Sequence, residues 1–293
     1  MAEINAVKPI PRRRRAAYAL PTLFTAGNVF LGFLAILRTF EGAISASSGA
    51  IGANPGFATA AKAIGLAVLL DGLDGRIARM TNTTSDFGRE MDSLADAITF
   101  GIAPAVLAYA WGVQFVLPGG FLMDHRAGYF IAFLFLVCGA ARLARFNVQV
   151  NPRPKNPGRP DRKYFVGLPI PAGAAMVAAI VYASDCVPLR DWILSAFWLG
   201  LLGVLSFLMV STWRYPSFKE LNLLRPRSPL MIIFLCSLIY LVWNFAQPAL
   251  LAMAVVYVSS GIALRGGGIV RKFWRRWRHG QGHVGHTTEH PIG

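Results

Sequence analysis

The chain has 293 residues, of which 55% are hydrophobic and only 15% charged, a balance that excludes an ordinary soluble globular protein. Its formal net charge of +15 invites a nucleic-acid reading, but no nucleic-acid-binding module accompanies the basic residues, so no nucleic-acid partner is expected. Apolar runs of about 20 residues, the length a helix needs to cross a bilayer, recur instead and predict an all-α integral membrane protein.

Taken in chain order, Lys8 and Arg12 to Arg15 precede the first run, at 18–38. That run is longer than the apolar region of a signal peptide, usually about 7–15 residues, and no cleavage site follows it, so it reads as a retained helix. Further runs at 57–76, 93–115, 127–147, 168–186, 191–212, 229–245 and 246–264 bring the expectation to about eight transmembrane helices. The seventh is short and joins the eighth tightly at Asn244-Phe245-Ala246-Gln247-Pro248. Four parts follow: a basic N-terminus at 1–17, a membrane core at 18–212, an additional transmembrane hairpin at 213–264 and a basic, histidine-bearing tail at 265–293.

Eight spans segregate the cations. One side receives Lys8, Arg12 to Arg15, Arg76, Arg79, Arg89, the loop from Arg142 to Lys163, Arg214 to Arg227 and the tail from Arg265 to Arg278. The other receives only Arg38, Lys62, Arg126 and Arg190. The positive-inside rule then places both termini on the cytoplasmic side of what is expected to be a bacterial inner membrane. Cys138, Cys186 and Cys236 are isolated and imply no disulfide framework. Trp274 and Trp277, among the basic residues of the tail, read as an interfacial belt or short amphipathic helix. His279, His283, His286 and His290 read as solvated side chains of that tail. Gly266 to Gly268 read as a hinge into this tail and not as a phosphate loop, because no strand precedes them.

Against this apolar background four aspartates stand out. The text runs Asp71-Gly72-Leu73-Asp74-Gly75-Arg76-Ile77-Ala78-Arg79, then eight residues to Gly88, then Asp92 and Asp96. An ionised side chain at mid-bilayer costs about 2.5–3.5 kcal/mol on insertion scales, so such a cluster needs a compensating partner. Asp71, Asp74, Gly75, Ala78 and Arg79 lie broadly along one helix face, and Asp92 and Asp96 are one turn apart. Four converging acids repel unless divalent cations sit among them, and oxygen-only ligation points to magnesium or manganese over zinc. An ion pathway through a transporter is the competing reading of intramembrane acids. A purely structural cluster with Arg76 or Arg79 would leave several acids uncompensated.

The pattern D-x-x-D-G-x-x-A-R-(x)8-G-x-x-x-D-x-x-x-D resembles the signature of the CDP-alcohol phosphotransferase family at every fixed position. Ser93-Leu94-Ala95-Asp96, Phe100 to Pro104, Ala141 to Asn147 and Tyr164 to Pro169 are similar to the branch of that family that uses serine. The likeness covers about residues 20 to 185. One departure is Pro21-Thr22, where relatives often carry proline followed by asparagine.

The resemblance implies a six-helix core plus two C-terminal helices, a homodimer, and a transfer dependent on two divalent ions. In that transfer CDP-diacylglycerol donates its phosphatidyl group to an alcohol and CMP leaves. Asp71, Asp74 and Asp92 would cage the metal. Asp96 would join them and serve as general base, unless the metal itself acidifies the nucleophile. Gly72, Gly75, Ala78 and Gly88 would admit the nucleotide close to backbone, Arg79 would meet a phosphate and Ser85 the nucleotide. Thr25 and Asn28 would complete the wall by resemblance. A serine acceptor brings a carboxylate that needs a cation. Arg142 is the first choice and Arg145 the second, against the reading that both are topology anchors. The motif holds only the shared CDP half, so glycerol 3-phosphate, inositol phosphate or choline are alternative acceptors, and the cations from Arg153 to Lys163 would suit a phosphorylated one.

Overall fold

The computed structural model describes residues 12–49, 52–81, 86–116, 125–150, 164–216, 237, 241 and 244–280. Helices α1 (Arg12–Ser47) and α2 (Pro55–Thr81) are followed by α3 (Asp86–Asp96), a π-helical turn (Ala97–Ile102) and α4 (Ala103–Gly112). Then come α5 (His125–Val150), α6 (Ile170–Ala183), α7 (Trp192–Val210) and α8 (Ala246–Gly280), the last helical straight through Gly266 to Gly268, where a hinge was expected. The one sheet among the described residues pairs β1 (Tyr164–Val166) with β2 (Arg214–Pro216), antiparallel, with Phe165 opposite Tyr215.

Among the described residues, six stretches are helical, long and apolar enough to cross a membrane: Leu23–Ser47, Pro55–Leu73, Gly88–Gly112, His125–Val148, Trp192–Val210 and Ala246–Ala263. The chain is therefore a multi-pass, all-α membrane protein. They answer six of the expected runs, and α3, the π turn and α4 together make a single span. The run expected at 168–186 is the apolar helix α6, shorter than a full crossing. It carries buried residues on most of its circumference, from Ile170 and Gly173 to Val181, so neighbouring helices rather than lipid set its length. The run expected at 229–245 lies almost wholly outside the described residues. The first helix extends beyond the expected 38 to Ser47, because nothing interrupts it before Gly49, which sits at φ 87°.

Lipid tails supply no hydrophobic drive between helices, so close approach of small residues does the packing. At the α1–α2 crossing, a Cβ on Gly56 would lie 2.5 Å from the Gly42 nitrogen and 2.7 Å from the Arg38 carbonyl oxygen. Asn54 fixes the turn beside it. Its Nδ2 donates to the Gly42 carbonyl at 2.8 Å, and its Oδ1 accepts from the backbone N–H of Gly56 and Phe57 at 3.0 and 3.3 Å. The amide thus caps α2 and ties it to α1 at once.

The strand pair performs the equivalent task at the opposite end. Gly167 donates to the Trp213 carbonyl at 2.7 Å and Leu168 to the Leu208 carbonyl at 3.0 Å, which locks the start of α6 onto the end of α7. Gly167 needs to be glycine twice over. Its φ is +79°, and a Cβ would meet the Met209 carbonyl oxygen at 2.5 Å.

Candidate active site

Near this locked end, α2 and the second half of α3 bring three carboxylates together. One carboxylate oxygen from each of Asp71, Asp92 and Asp96 lies within 4.8 Å of the other two. Asp71 comes from α2, while Asp92 and Asp96 stack one turn apart on α3, as their spacing requires. Asp71 and Asp92 feel each other's charge, and Asp96 is only 9% exposed. Two unit charges 4 Å apart in the environment of a protein surface repel by about 4 kcal/mol, a repulsion that a cation held among these carboxylates would relieve. Among the described residues, three carboxylates and no nitrogen or sulfur donor form a hard-oxygen set that fits magnesium, manganese or calcium better than zinc. Asp74, Gly75, Ala78 and Arg79 continue α2, with side chains outside the described part of the structure. Ser85 lies outside the described residues altogether.

The helix carrying Asp92 and Asp96 is held in azimuth by Ser93. Its hydroxyl accepts from Asn147 Nδ2 of α5 at 2.7 Å and donates to the Arg89 carbonyl at 2.9 Å. Directly after Asp96 the chain switches to the π turn, a form that occurs mostly as single turns at functional sites. Pro104 contributes to this break, since it has no N–H with which to bond the Phe100 carbonyl. The turn presses Thr99 against α1: its hydroxyl donates to the Asn28 carbonyl at 3.0 Å, and a Cβ on Gly32 would lie 2.6 Å from the Thr99 Oγ1.

Asn28 is thereby tied to the turn that directly follows Asp96. Its side-chain amide is 1% exposed, and neither Oδ1 nor Nδ2 has a hydrogen-bond partner among the described residues. A buried polar group left so carries a penalty of about 1–3 kcal/mol, which a polar ligand would relieve. Thr25, one turn earlier on α1, is also buried. Gly72 is exposed, and a Cβ built on it meets nothing within 4 Å, so no packing among the described residues demands glycine there. Gly88 is half-buried near the start of α3.

The two arginines of α5 part company. Arg142 is 7% exposed, with its guanidinium 5.6 Å over the Phe146 ring, and it lies within electrostatic reach of Asp96 and Tyr257. Arg145 turns the other way, where its Nη1 donates to the Val210 carbonyl at 2.8 Å and closes the end of α7. Sequence reasoning missed the Ser93–Asn147 bond, the π turn and Tyr257. The first two fall inside segments whose text was already distinctive, whereas nothing around Tyr257 marked it. Two cavities, of about 240 and 260 Å³, lie along α1 toward the far end and touch none of the three aspartates.

Residues 18–209 match the family described as CDP-alcohol phosphatidyltransferase. A CDP-diacylglycerol–serine O-phosphatidyltransferase of Helicobacter pylori J99 is 35% identical over 248 residues, 84% of this chain and 90% of that protein. The enzyme of the same name from Methanocaldococcus jannaschii is 32% identical over 197 residues, 67% of this chain and 79% of that one. An archaetidylserine synthase of Methanothermobacter thermautotrophicus is 33% identical over 200 residues, covering 68% and 70%.

Proposed function

Since the chain belongs to the CDP-alcohol phosphatidyltransferase family, we propose that it is the enzyme that transfers the phosphatidyl group of CDP-diacylglycerol to L-serine. The products are phosphatidylserine and CMP, made for phospholipid biosynthesis. One observation carries the reading: Asp71, Asp92 and Asp96 converge within 4.8 Å, with the buried Arg142 in electrostatic reach of Asp96. The carboxylates suit a pyrophosphate and its counter-ions, and the guanidinium suits the acceptor's carboxylate. The serine-linked names of relatives across most of the chain support the choice of acceptor.

Two divalent ions, magnesium or manganese, held among Asp71, Asp74, Asp92 and Asp96, would neutralise charge on the transferring phosphoryl group. Thr25, Asn28, Gly72, Gly75, Ala78, Arg79, Ser85 and Gly88 form the wall that takes the CDP head of the donor, whose acyl chains stay in lipid. The open face at Gly72 leaves room for that head, and the Asn28 amide offers it a donor NH2 group and an acceptor oxygen. The serine carboxylate docks on Arg142, whose planar fork matches it. Arg145 takes second place because it is engaged with Val210. Asp96 accepts the serine hydroxyl proton as the oxygen–phosphorus bond forms, the bond to CMP breaks, and CMP leaves with the electron pair. The core at 18–212 performs this chemistry, with 213–264 and the tail added to it. Both termini and the site face the cytoplasm from a bacterial inner membrane, and the chain works as a homodimer.

The decisive experiment supplies purified protein with CDP-diacylglycerol and magnesium or manganese, and measures CMP release with serine, glycerol 3-phosphate, inositol phosphate or choline in turn. Metal-dependent release with serine alone is expected. Release with another alcohol keeps the mechanism and replaces the acceptor. No release with any alcohol sinks the enzyme reading and returns the buried acids to a transport role.

A further inference from the structure

The family match ends at residue 209, yet the aspartate end of the bundle is completed by residues beyond it. Tyr215 on β2 is fully buried, and its hydroxyl has no hydrogen-bond partner among the described residues. Its ring lies flush against Gly261 of α8, where any Cβ would run into it. One turn earlier on α8, the Tyr257 ring stands with its centroid 5.9 Å from that of Tyr215, tilted by 35°. Tyr257 and Arg142 are within electrostatic reach of each other, as are Arg142 and Asp96. A row of four side chains, Tyr215, Tyr257, Arg142 and Asp96, thus runs from the C-terminal segment into the carboxylate cluster.

A packing role alone does not account for this row. α8 is otherwise lipid-like around Tyr257, with Met253, Val255, Val256 and Ile262 exposed. Its neighbouring hydroxyls turn back on their own helix, Ser259 to the Val255 carbonyl at 2.5 Å and Ser260 to the Tyr257 carbonyl at 2.7 Å. Tyr257 instead is half-buried, packs its ring against Tyr215 and lies within electrostatic reach of the buried Arg142 guanidinium. A phenolic oxygen can accept from one arm of a rigid five-donor fork and so select where the remaining arms point. In a poorly solvated site that dipole acts at greater strength than it would in water.

We propose that α8 is part of the acceptor subsite: Tyr257, braced by Tyr215 and Gly261, aims the Arg142 fork at the incoming alcohol's carboxylate. Tyr257 is a positioning residue that acts through Arg142, and the inference rests on the serine reading given above. It also gives the C-terminal segment a task that the family core does not contain.

The test compares wild type, Tyr257→Phe, Arg142→Lys and the double variant, varying serine at saturating CDP-diacylglycerol and then the reverse. Tyr257→Phe is expected to raise the KM for serine about tenfold, while the KM for CDP-diacylglycerol and kcat stay within about twofold. In the Arg142→Lys background it should add nothing further, because the arm it steers is gone. An unchanged KM for serine overturns the proposal. So does an equal rise in both KM values, or an independent tenfold effect in the double variant. Gly261→Ala is the second arm, since it crowds Tyr215 and leaves the Tyr257 hydroxyl in place. It should produce the same serine-selective rise, and a folded variant with no change overturns the proposal as well. The wild-type assay separately decides the serine reading. Should the wild type use another alcohol, that reading falls, and the Tyr257→Phe ratio is taken on the alcohol used, with an unchanged KM overturning the inference.

Discussion

The two ends of the bundle treat their polar groups in opposite ways. Away from the aspartates, the described polar side chains are mostly answered within the chain, the buried Trp111 indole N–H being an exception. Arg38 pairs with Glu41 at 2.6 Å, Asn54 makes three hydrogen bonds, and Gln247 Nε2 donates to the Tyr182 carbonyl and to Asp185 at 3.0 and 2.9 Å. Lys62 rests 5.4 Å over the Tyr182 ring. At the other end three carboxylates crowd together and the buried Asn28 amide is unanswered by any described residue. The same fold can satisfy buried polar groups, as the first end demonstrates. Leaving them so at the second sets that end apart as the place where binding, and not folding, supplies the compensation.

The sharpest way to break this contrast is to remove one of the crowded acids. Asp92→Ala is expected to lower kcat by more than about a thousandfold, with the thermal unfolding midpoint unchanged or raised, because a repulsion is lost along with a ligand. Full CMP release by that variant would sink the metal scheme. Next in size, Asn28→Ala should raise the KM for CDP-diacylglycerol about tenfold at little expense in stability, read from the same assay and a melting curve. At the satisfied end the signs reverse. Asn54→Ala should destabilise the protein by about 1–2 kcal/mol, as loss of a helix cap does, while kcat and both KM values of the folded fraction stay put. The smallest effect concerns Cys186 in the turn after α6, whose thiol burial pushes up to about 11. Its thiolate is therefore scarce at neutral pH and grows only as the pH climbs toward that value. With Cys138 and Cys236 replaced, iodoacetamide should label the native protein slowly at pH 8 and much faster near pH 10.5.

Much of this was legible in the residues. A charged group in a membrane span is conspicuous by its energetic penalty, and a three- or four-residue spacing fixes which acids share a face. Asp71, Asp92 and Asp96 were therefore identifiable from the sequence alone. The spans were legible for the same reason, with their ends displaced by a few residues where no proline or glycine forces a stop. Arg142 and Arg145 could not be separated that way. They sit three positions apart at one helix end, and what divides them is a carbonyl of Val210, 65 residues away in sequence. The short α6 was hidden because a helix buried among others needs no particular length. Tyr257 was hidden because an aromatic residue in an apolar helix looks alike whether it faces lipid or packs on another ring, as it does on Tyr215.

The π turn at Ala97–Ile102 has one more consequence. An α-helix advances about 100° per residue, so a single additional residue accommodated in one turn resets the phase of everything that follows. The span from Gly88 to Gly112 is continuous, yet its first half is phased to show Asp92 and Asp96 to α2, and its second half to bury Trp111 and Leu107 in the core. Deleting one residue between 97 and 102 would leave a smoother helix able to satisfy one of those halves and not both. The register between the aspartate pair and Pro104 is thus a mechanical setting, as consequential as the identity of the aspartates themselves.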